Sequence, residues 1–272
     1  MDDKQILKLE KKCKGIRRMI VEMLAEAGGG HYGGSLSCVE ILTALYFHTL
    51  KIDPKNPTWV DRDRFVLSKG HACACLVCVL AERGYFPSSL LKTFNKLDSP
   101  FGQHPDMHKI VGCDMSTGSL GHGPPIGIGM ALAANLDKRD YRVFVLVGDG
   151  ECQEGSVWEA AMAAAHYKLE HLTMIVDRNQ LSMDGFTEEI MALGDLRKKF
   201  EAFGWAVREV DGHNIKALIE ALDSVPFEGK RPSVIIANTA KAKGVSCMEN
   251  KWEWHYNIAS EEMTKEALRE LE

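Results

Sequence analysis

Apolar and polar positions divide the chain into alternating elements. Over 4–27, Ile6, Leu9, Cys13, Ile16, Met19, Ile20 and Met23 recur at three- and four-residue spacing, which predicts an amphipathic helix. Gly28, Gly29 and Gly30 stop it. Ser37 is placed to cap a second helix reaching about His48. RFVLS (64–68) reads as a short buried strand, and a helix follows from about Gly70 to Arg83. Residues 95–121 are rich in Gly, Pro, Ser, Asp and His and carry little periodicity; so long a connection in a folded unit is usually functional.

From there strands and helices alternate strictly. PIGIGMALAANLD (125–137) predicts a helix with small residues where it packs closely, and RVFVLVGD (142–149) a buried strand. EGSVWEAAMAAAHYK (154–168) predicts a helix and LTMIVDRN (172–179) a second buried strand. Helix 194–204, strand 205–211, helix 214–225, strand 232–240 and a final helix over about 260–271 complete the pattern. Short continuous apolar strands alternating with helices indicate an α/β fold: a doubly wound, mostly parallel sheet with helices on both faces. No linker divides residues 1–272, so a single domain is expected. In such sheets ligands collect at the carboxyl ends of the strands.

Composition narrows the function classes. The 272 residues are 45% hydrophobic, with 33 basic against 38 acidic side chains and a net charge of −5. There is no basic stripe or acidic tail, so no nucleic-acid or membrane-surface partner is expected. No segment reaches the roughly 18 apolar residues of a membrane span. The opening MDDKQILKLEKKCKG is charged and lacks the apolar core of a secretory signal, which leads to a cytoplasmic expectation. Eight scattered cysteines are then expected as free thiols. Cys73, Cys75 and Cys78 have a C-x-C-x-x-C spacing, but they sit in an apolar helical stretch without a second pair, and read as small buried hydrophobes.

The chemistry concentrates in VLVGDGECQEG and the strand after it. Asp149 and Asn179 fall just past the ends of two successive strands, with 29 residues between them, the length of one strand–helix–strand crossover. If those strands are neighbours their ends lie about 4.8 Å apart. A carboxylate and a carboxamide oxygen can then share one hard cation, Mg²⁺ or Ca²⁺, with water and phosphate oxygens filling the remaining positions. Gly148 and Gly150 let backbone approach phosphates, and the following helix turns its positive end toward them. Asp149 as a simple helix cap is the plain structural alternative.

Gly-Asp-Gly with an asparagine some thirty residues on resembles the thiamine diphosphate fingerprint, and GDGECQEGSVWEA resembles its transketolase branch. GGGHYGGSLSCVEIL (28–42), RDRFVLSKGHACA (62–74), GQHPD (102–106) and STGSLGHG (116–123) resemble further transketolase segments, in the same order and at similar spacing, over about residues 10–260. The resemblance implies the diphosphate-binding domain of the thiamine diphosphate fold. It implies Asp149, Asn179 and the Leu181 backbone carbonyl as metal ligands, and Gly150 at the diphosphate. Gly118 and Leu120 match cofactor-contacting positions. His31, His71 and His104 match the histidines around the reactive carbon and the ketose hydroxyls, where imidazoles exchange protons near neutral pH. His255 matches a fourth, near the acceptor sugar, although Tyr256 stands where the family often has glycine. Glu154 matches an acidic residue of a subunit-contact network at the paired cofactor sites, and is also a first-turn glutamate favoured by the helix dipole. His122, where the family has glutamine or histidine, is expected to line the site.

The implied activity is transfer of a two-carbon ketol unit from a ketose to an aldose, both carried as phosphates in the usual reaction. No segment resembles the family's pyrimidine-binding or C-terminal domains. The chain therefore resembles the N-terminal subunit of a split transketolase, expected to need a partner of roughly 300 residues in an α₂β₂ assembly. The alternatives are a non-catalytic paralogue or a fragment similar to deoxyxylulose-phosphate synthase. A nicotinamide-binding reading fails, because GIGMALA (127–133) follows no strand.

Overall fold

The computed structural model describes residues 2–272. Helix α1 (Asp3–Glu26) is capped by Asp2, whose carboxylate takes the Gln5 amide at 2.7 Å while the Gln5 side chain returns a bond. It ends at Gly28 and Gly29, both at positive φ. Short helices α2 (Tyr32–Ser37) and α3 (Val39–Ala44) follow, and the last turn widens into a π turn over Leu45–Thr49. Strand β1 (Arg64–Leu67) leads through a 3₁₀ turn (Gly70–Ala72) into α4 (Cys73–Arg83). Then come α5 (Gly123–Leu136), β2 (Val143–Gly148), α6 (Gly155–His166), β3 (Leu172–Arg178), the short α7 (Thr187–Ile190) and α8 (Leu196–Ala202). Strand β4 (Ala206–Asp211), α9 (Ile215–Asp223), β5 (Ser233–Asn238), a 3₁₀ turn (Trp252–His255) and α10 (Glu261–Glu270) complete the chain.

The five strands form one sheet in the order β1-β2-β3-β5-β4, and every pairing is parallel. Alternate strand residues feed two cores. Phe144, Leu146, Ile175 and Ile235 join the layer built with α1, α3, α4 and α9. Val143, Val145, Val147, Met174 and Val176 join the layer under α5, α6 and α8. Helix α5 lies close to the sheet because Gly127 allows it: a Cβ there would sit 2.5 Å from Val145 Cγ2. Gly129, by contrast, has open space beside it.

Two local expectations are corrected. Ser37 does not start a helix; it closes α2, and its hydroxyl donates to the buried carboxylate of Asp177 at 2.6 Å, an acceptor 140 residues away that outcompetes a capping role. The helix after β2 does not follow Asp149 directly. A 3₁₀ turn over Gly150–Gln153 intervenes, so Glu154 occupies the N-cap position of α6 and not its first turn. Cys73, Cys75 and Cys78 are buried in α4, where burial raises their thiols, and all eight cysteines are free. Among the described residues, no helix is long and apolar enough to cross a membrane.

Candidate active site

A cavity of about 450 Å³ opens over the carboxyl ends of the strands. Its floor is set by register. Gly148 pairs with Asp177 across β2 and β3, and the Asp149 amide donates to the Asp177 carbonyl at 3.2 Å. This brings Asp149 beside the segment that follows β3. One carboxylate oxygen of Asp149 accepts the Gly150 amide (2.8 Å); the other accepts the Gln180 amide (2.5 Å) and Arg178 Nη1 (3.0 Å). Asn179 Oδ1 accepts the Leu181 amide at 3.1 Å, and the Leu181 carbonyl accepts Lys241 Nζ at 3.1 Å.

These donors fit a hard cation. Asp149, Asn179 and Leu181 all line the cavity and together offer carboxylate, carboxamide and carbonyl oxygen, each able to accept again. Burial and the Asp177 carboxylate push Asp149 above the usual range, against Arg178 and two backbone amides. Nearby positive charge would relieve that. No cluster of three His, Cys, Asp or Glu side chains is assembled for a metal among the described residues, so an oxygen set of mixed origin is the one available. A cradle for a bulky anion lies beside it. A Cβ at Gly148 would meet nothing nearer than 3.9 Å, and one at Gly150 nothing nearer than 3.4 Å. The Gly150 amide itself is engaged by Asp149.

The cavity wall carries four histidines from four separate segments. His31 precedes α2, His71 lies in the turn after β1, His104 in the long connection and His255 in the turn after β5. Ring centroids of His31 lie 5.4 Å from His71, 5.9 Å from His104 and 5.6 Å from His255; His71 and His255 are 5.0 Å apart. The last segment is fastened by a two-way bridge, Gly30 amide to Asn257 carbonyl (3.0 Å) and Asn257 amide to Gly30 carbonyl (3.2 Å). That places Tyr256, edge-on, 4.9 Å from the His31 ring. Burial lowers all four imidazoles. For His71 the charge of Lys69 adds to it, and for His255, brought to about 3, that of Lys241. The rings are neutral at pH 7.

Gly118, Leu120, Gly150 and Glu154 also line the cavity. A Cβ on Gly118 would approach His104 Cδ2 to 3.4 Å, so bare backbone faces the space there. His122 is a correction. It is exposed, its Nδ1 turns to the Leu120 carbonyl at 3.1 Å, and it stands outside the lining. Gly121 causes this: it turns the chain at φ +79° hard against Glu154 and Ser156, directing the next side chain outward.

Several groups at the site were not anticipated from the sequence. Lys241, just past β5, donates to the Leu181 and Ser182 carbonyls (3.1 and 2.5 Å) and faces His255 Nδ1 at 3.3 Å; burial and the Lys69 charge lower it to about 8. Lys69 and Asp177 form a buried ion pair at the floor, with Lys69 also on the Gly34 carbonyl at 2.9 Å. Burial alone would raise Asp177, but Lys69 and hydrogen bonds from Ser37 and Thr239 hold it below the usual carboxylate range. Glu151 accepts the Gly121 and Gly148 amides (2.9 and 3.0 Å) and ties the β2 end to the loop before α5. A lysine or acid just beyond a buried strand was the available signal.

Residues 9–271 match the model of the transketolase thiamine diphosphate-binding domain. The chain is 45% identical to a 6-deoxy-6-sulfo-D-fructose transketolase subunit from a Clostridium species, over all of this chain and 98% of that one. It is 42% identical to an apulose-4-phosphate transketolase subunit from Phocaeicola vulgatus, over 98% of this chain and 95% of the other. Among solved structures, transketolase from Campylobacter jejuni superposes with a TM-score of 0.90 at 34% identity, covering all of this chain but 43% of that one.

Proposed function

The chain belongs to the transketolase family through its thiamine diphosphate-binding domain, and on that premise we propose that it is the diphosphate-binding subunit of a two-chain transketolase. The reaction moves a two-carbon ketol unit from a ketose phosphate, or another anionic ketose, to an aldose. Two relatives of matching length are subunits by name. One observation carries the reading: four neutral histidines from four segments converge above a carboxylate–carboxamide floor that suits a divalent cation.

When bound, thiamine diphosphate supplies the nucleophilic carbon and the electron sink for breaking and making a carbon–carbon bond. In this reading Asp149, Asn179 and the Leu181 carbonyl hold Mg²⁺ (or Ca²⁺) against the diphosphate. Gly118, Leu120 and Gly150 give the cofactor room. His31, His71, His104 and His255 exchange protons with the sugar hydroxyls, a task that neutral imidazoles perform at pH 7.

The remaining pyrimidine-binding and C-terminal domains are assigned to a partner chain, in an α₂β₂ assembly with Glu154 in the contact network near the cofactor. Segment 183–191 exposes Met183, Phe186, Ile190 and Met191 beside the cavity, and segment 252–258 exposes Trp252, Tyr256 and Ile258. Exposed apolar groups gathered at a site mouth suit a covering protein surface. Free thiols suit the cytoplasm.

The test is recovery of the tagged chain from extract of its source organism, with the eluate assayed on a panel of ketoses and aldoses. A co-purifying chain and ketol transfer that requires thiamine diphosphate and Mg²⁺ are expected, with Asp149→Ala abolishing activity. A complete assembly that is inert on every sugar would favour a non-catalytic paralogue.

A further inference from the structure

The cavity histidines differ in what orients them. Among the described residues, no protein hydrogen bond steadies His71 or His104. His31 is held: its Nδ1 lies 3.2 Å from Gln103 Oε1. Gln103 is itself oriented, because its Nε2 faces the Gly29 carbonyl at 3.5 Å. A carbonyl oxygen only accepts, so the amide nitrogen belongs on the Gly29 side and the amide oxygen on the His31 side. That oxygen also only accepts, so the proton on the neutral His31 ring sits at Nδ1. Nε2 then carries the lone pair. Among the described residues, the buried side-chain atoms without a partner are hydroxyls of Tyr32, Ser35, Thr43 and Thr49, so Nε2 is not sealed in. With no protein partner of its own, it opens on the cavity that His31 lines.

His255 is the mirror case. Its Nδ1 faces Lys241 Nζ, which has only hydrogens to give, so Nδ1 accepts and Nε2 carries the proton. Two rings 5.6 Å apart therefore offer opposite polarity, an acceptor and a donor.

We propose that Gln103 is a positioning residue that locks His31 as its Nδ1-protonated tautomer, so that the cavity receives an imidazole lone pair shaped to accept a hydroxyl hydrogen of the sugar. Gln103 stands between Gly102 and His104, directly before one of the other cavity histidines. The sugar as occupant rests on the ketol-transfer reading; the tautomer does not.

The tautomer is read directly from long-range proton–nitrogen correlation spectra of the full chain with ¹⁵N-labelled histidine, the His31 signals being identified by their loss in His31→Gln. His31 is expected with a protonated Nδ1 and a bare Nε2. Gln103→Leu should abolish that preference, and Gln103→Glu, whose carboxylate accepts the same bond, should keep it. His31 protonated at Nε2 in the native chain, or unchanged in Gln103→Leu, would overturn the proposal. In the assembly with its partner, Gln103→Leu should lower kcat/KM about fivefold to tenfold, the scale of one hydrogen bond, with Gln103→Glu recovering most of it. An unchanged kcat/KM in Gln103→Leu also defeats the positioning role. The spectra need neither sugar, cofactor nor partner. An assembly without ketol transfer would therefore sink the functional reading and leave the tautomer result standing.

Discussion

His213 and the four cavity histidines use the same ring for opposite purposes. His213 is satisfied on both sides: Nδ1 meets Glu40 at 2.9 Å, and Nε2 accepts the Ala240 amide at 2.8 Å. Glu40 in turn receives both ends of the buried Arg17 guanidinium, at 2.5 and 2.6 Å. That cluster uses its hydrogen-bonding capacity to fasten α1, α3 and the segment after β5 together. The four cavity rings share two protein hydrogen bonds, to Gln103 and Lys241. The His213 ring has both nitrogens engaged, whereas the cavity rings keep hydrogen-bonding capacity free, as a ligand would require.

The fold-serving groups should give the greatest losses. Lys69→Met leaves the fully buried Asp177 without its counter-ion, with only Ser37 and Thr239 to hydrogen-bond it, and should cost about 3–5 kcal/mol in urea melts, with Lys69→Met/Asp177→Leu recovering much of it. A loss below about 1 kcal/mol would show that the pair is not structural. Next, His71→Gln should lower kcat/KM of the assembly about 100-fold while the chain melts within about 2 °C of the parent. A large fall in melting temperature with intact activity would place His71 with His213 and erase the contrast. Glu40→Gln should do the reverse, removing about 1–3 kcal/mol of stability and leaving kcat within about threefold, because it unpairs Arg17 far from the reacting groups.

The smallest effect is graded with pH. The unfolded chain protonates histidine near 6.5, while burial keeps His71 and His255 neutral well below that. Their stability is thus complete above about pH 6.5 and drains as pH falls toward the folded values, about 3 for His255. Melting temperature should decline between pH 7 and 5, and less so in His255→Gln. Asp177 and Glu40, held low by Lys69 and by Arg17 with His213, add their losses only below the ordinary carboxylate range.

What the sequence discloses follows the same division. Strand positions were legible because burial on both faces leaves unbroken apolar runs such as VFVLV and LTMIV, and β5 follows as SVIIA. Even the exposed edge strand β4 was legible from its β-branched residues. Asp149, Asn179 and the four histidines were legible because each sits in a local signature. The partners were not. Ser37 finds Asp177 140 residues away, Lys69 finds it at 108, and Arg17 finds the Lys243 carbonyl at 226. Such pairs are created by the packing of distant segments and leave no local trace. Gln103 was passed over inside the GQHPD motif, and His122 misled because its ring turns to solvent and to the Leu120 carbonyl.

On the proposed function this chain holds half of a site which a second chain completes. The deciding measurement is the rate of thiamine diphosphate-dependent ketol transfer by the purified chain, by the purified partner and by their mixture at matched concentrations. No transfer is expected from either alone and full transfer from the mixture, lost again with Asp149→Ala. Full-rate transfer by this chain alone would show that the site needs no second chain.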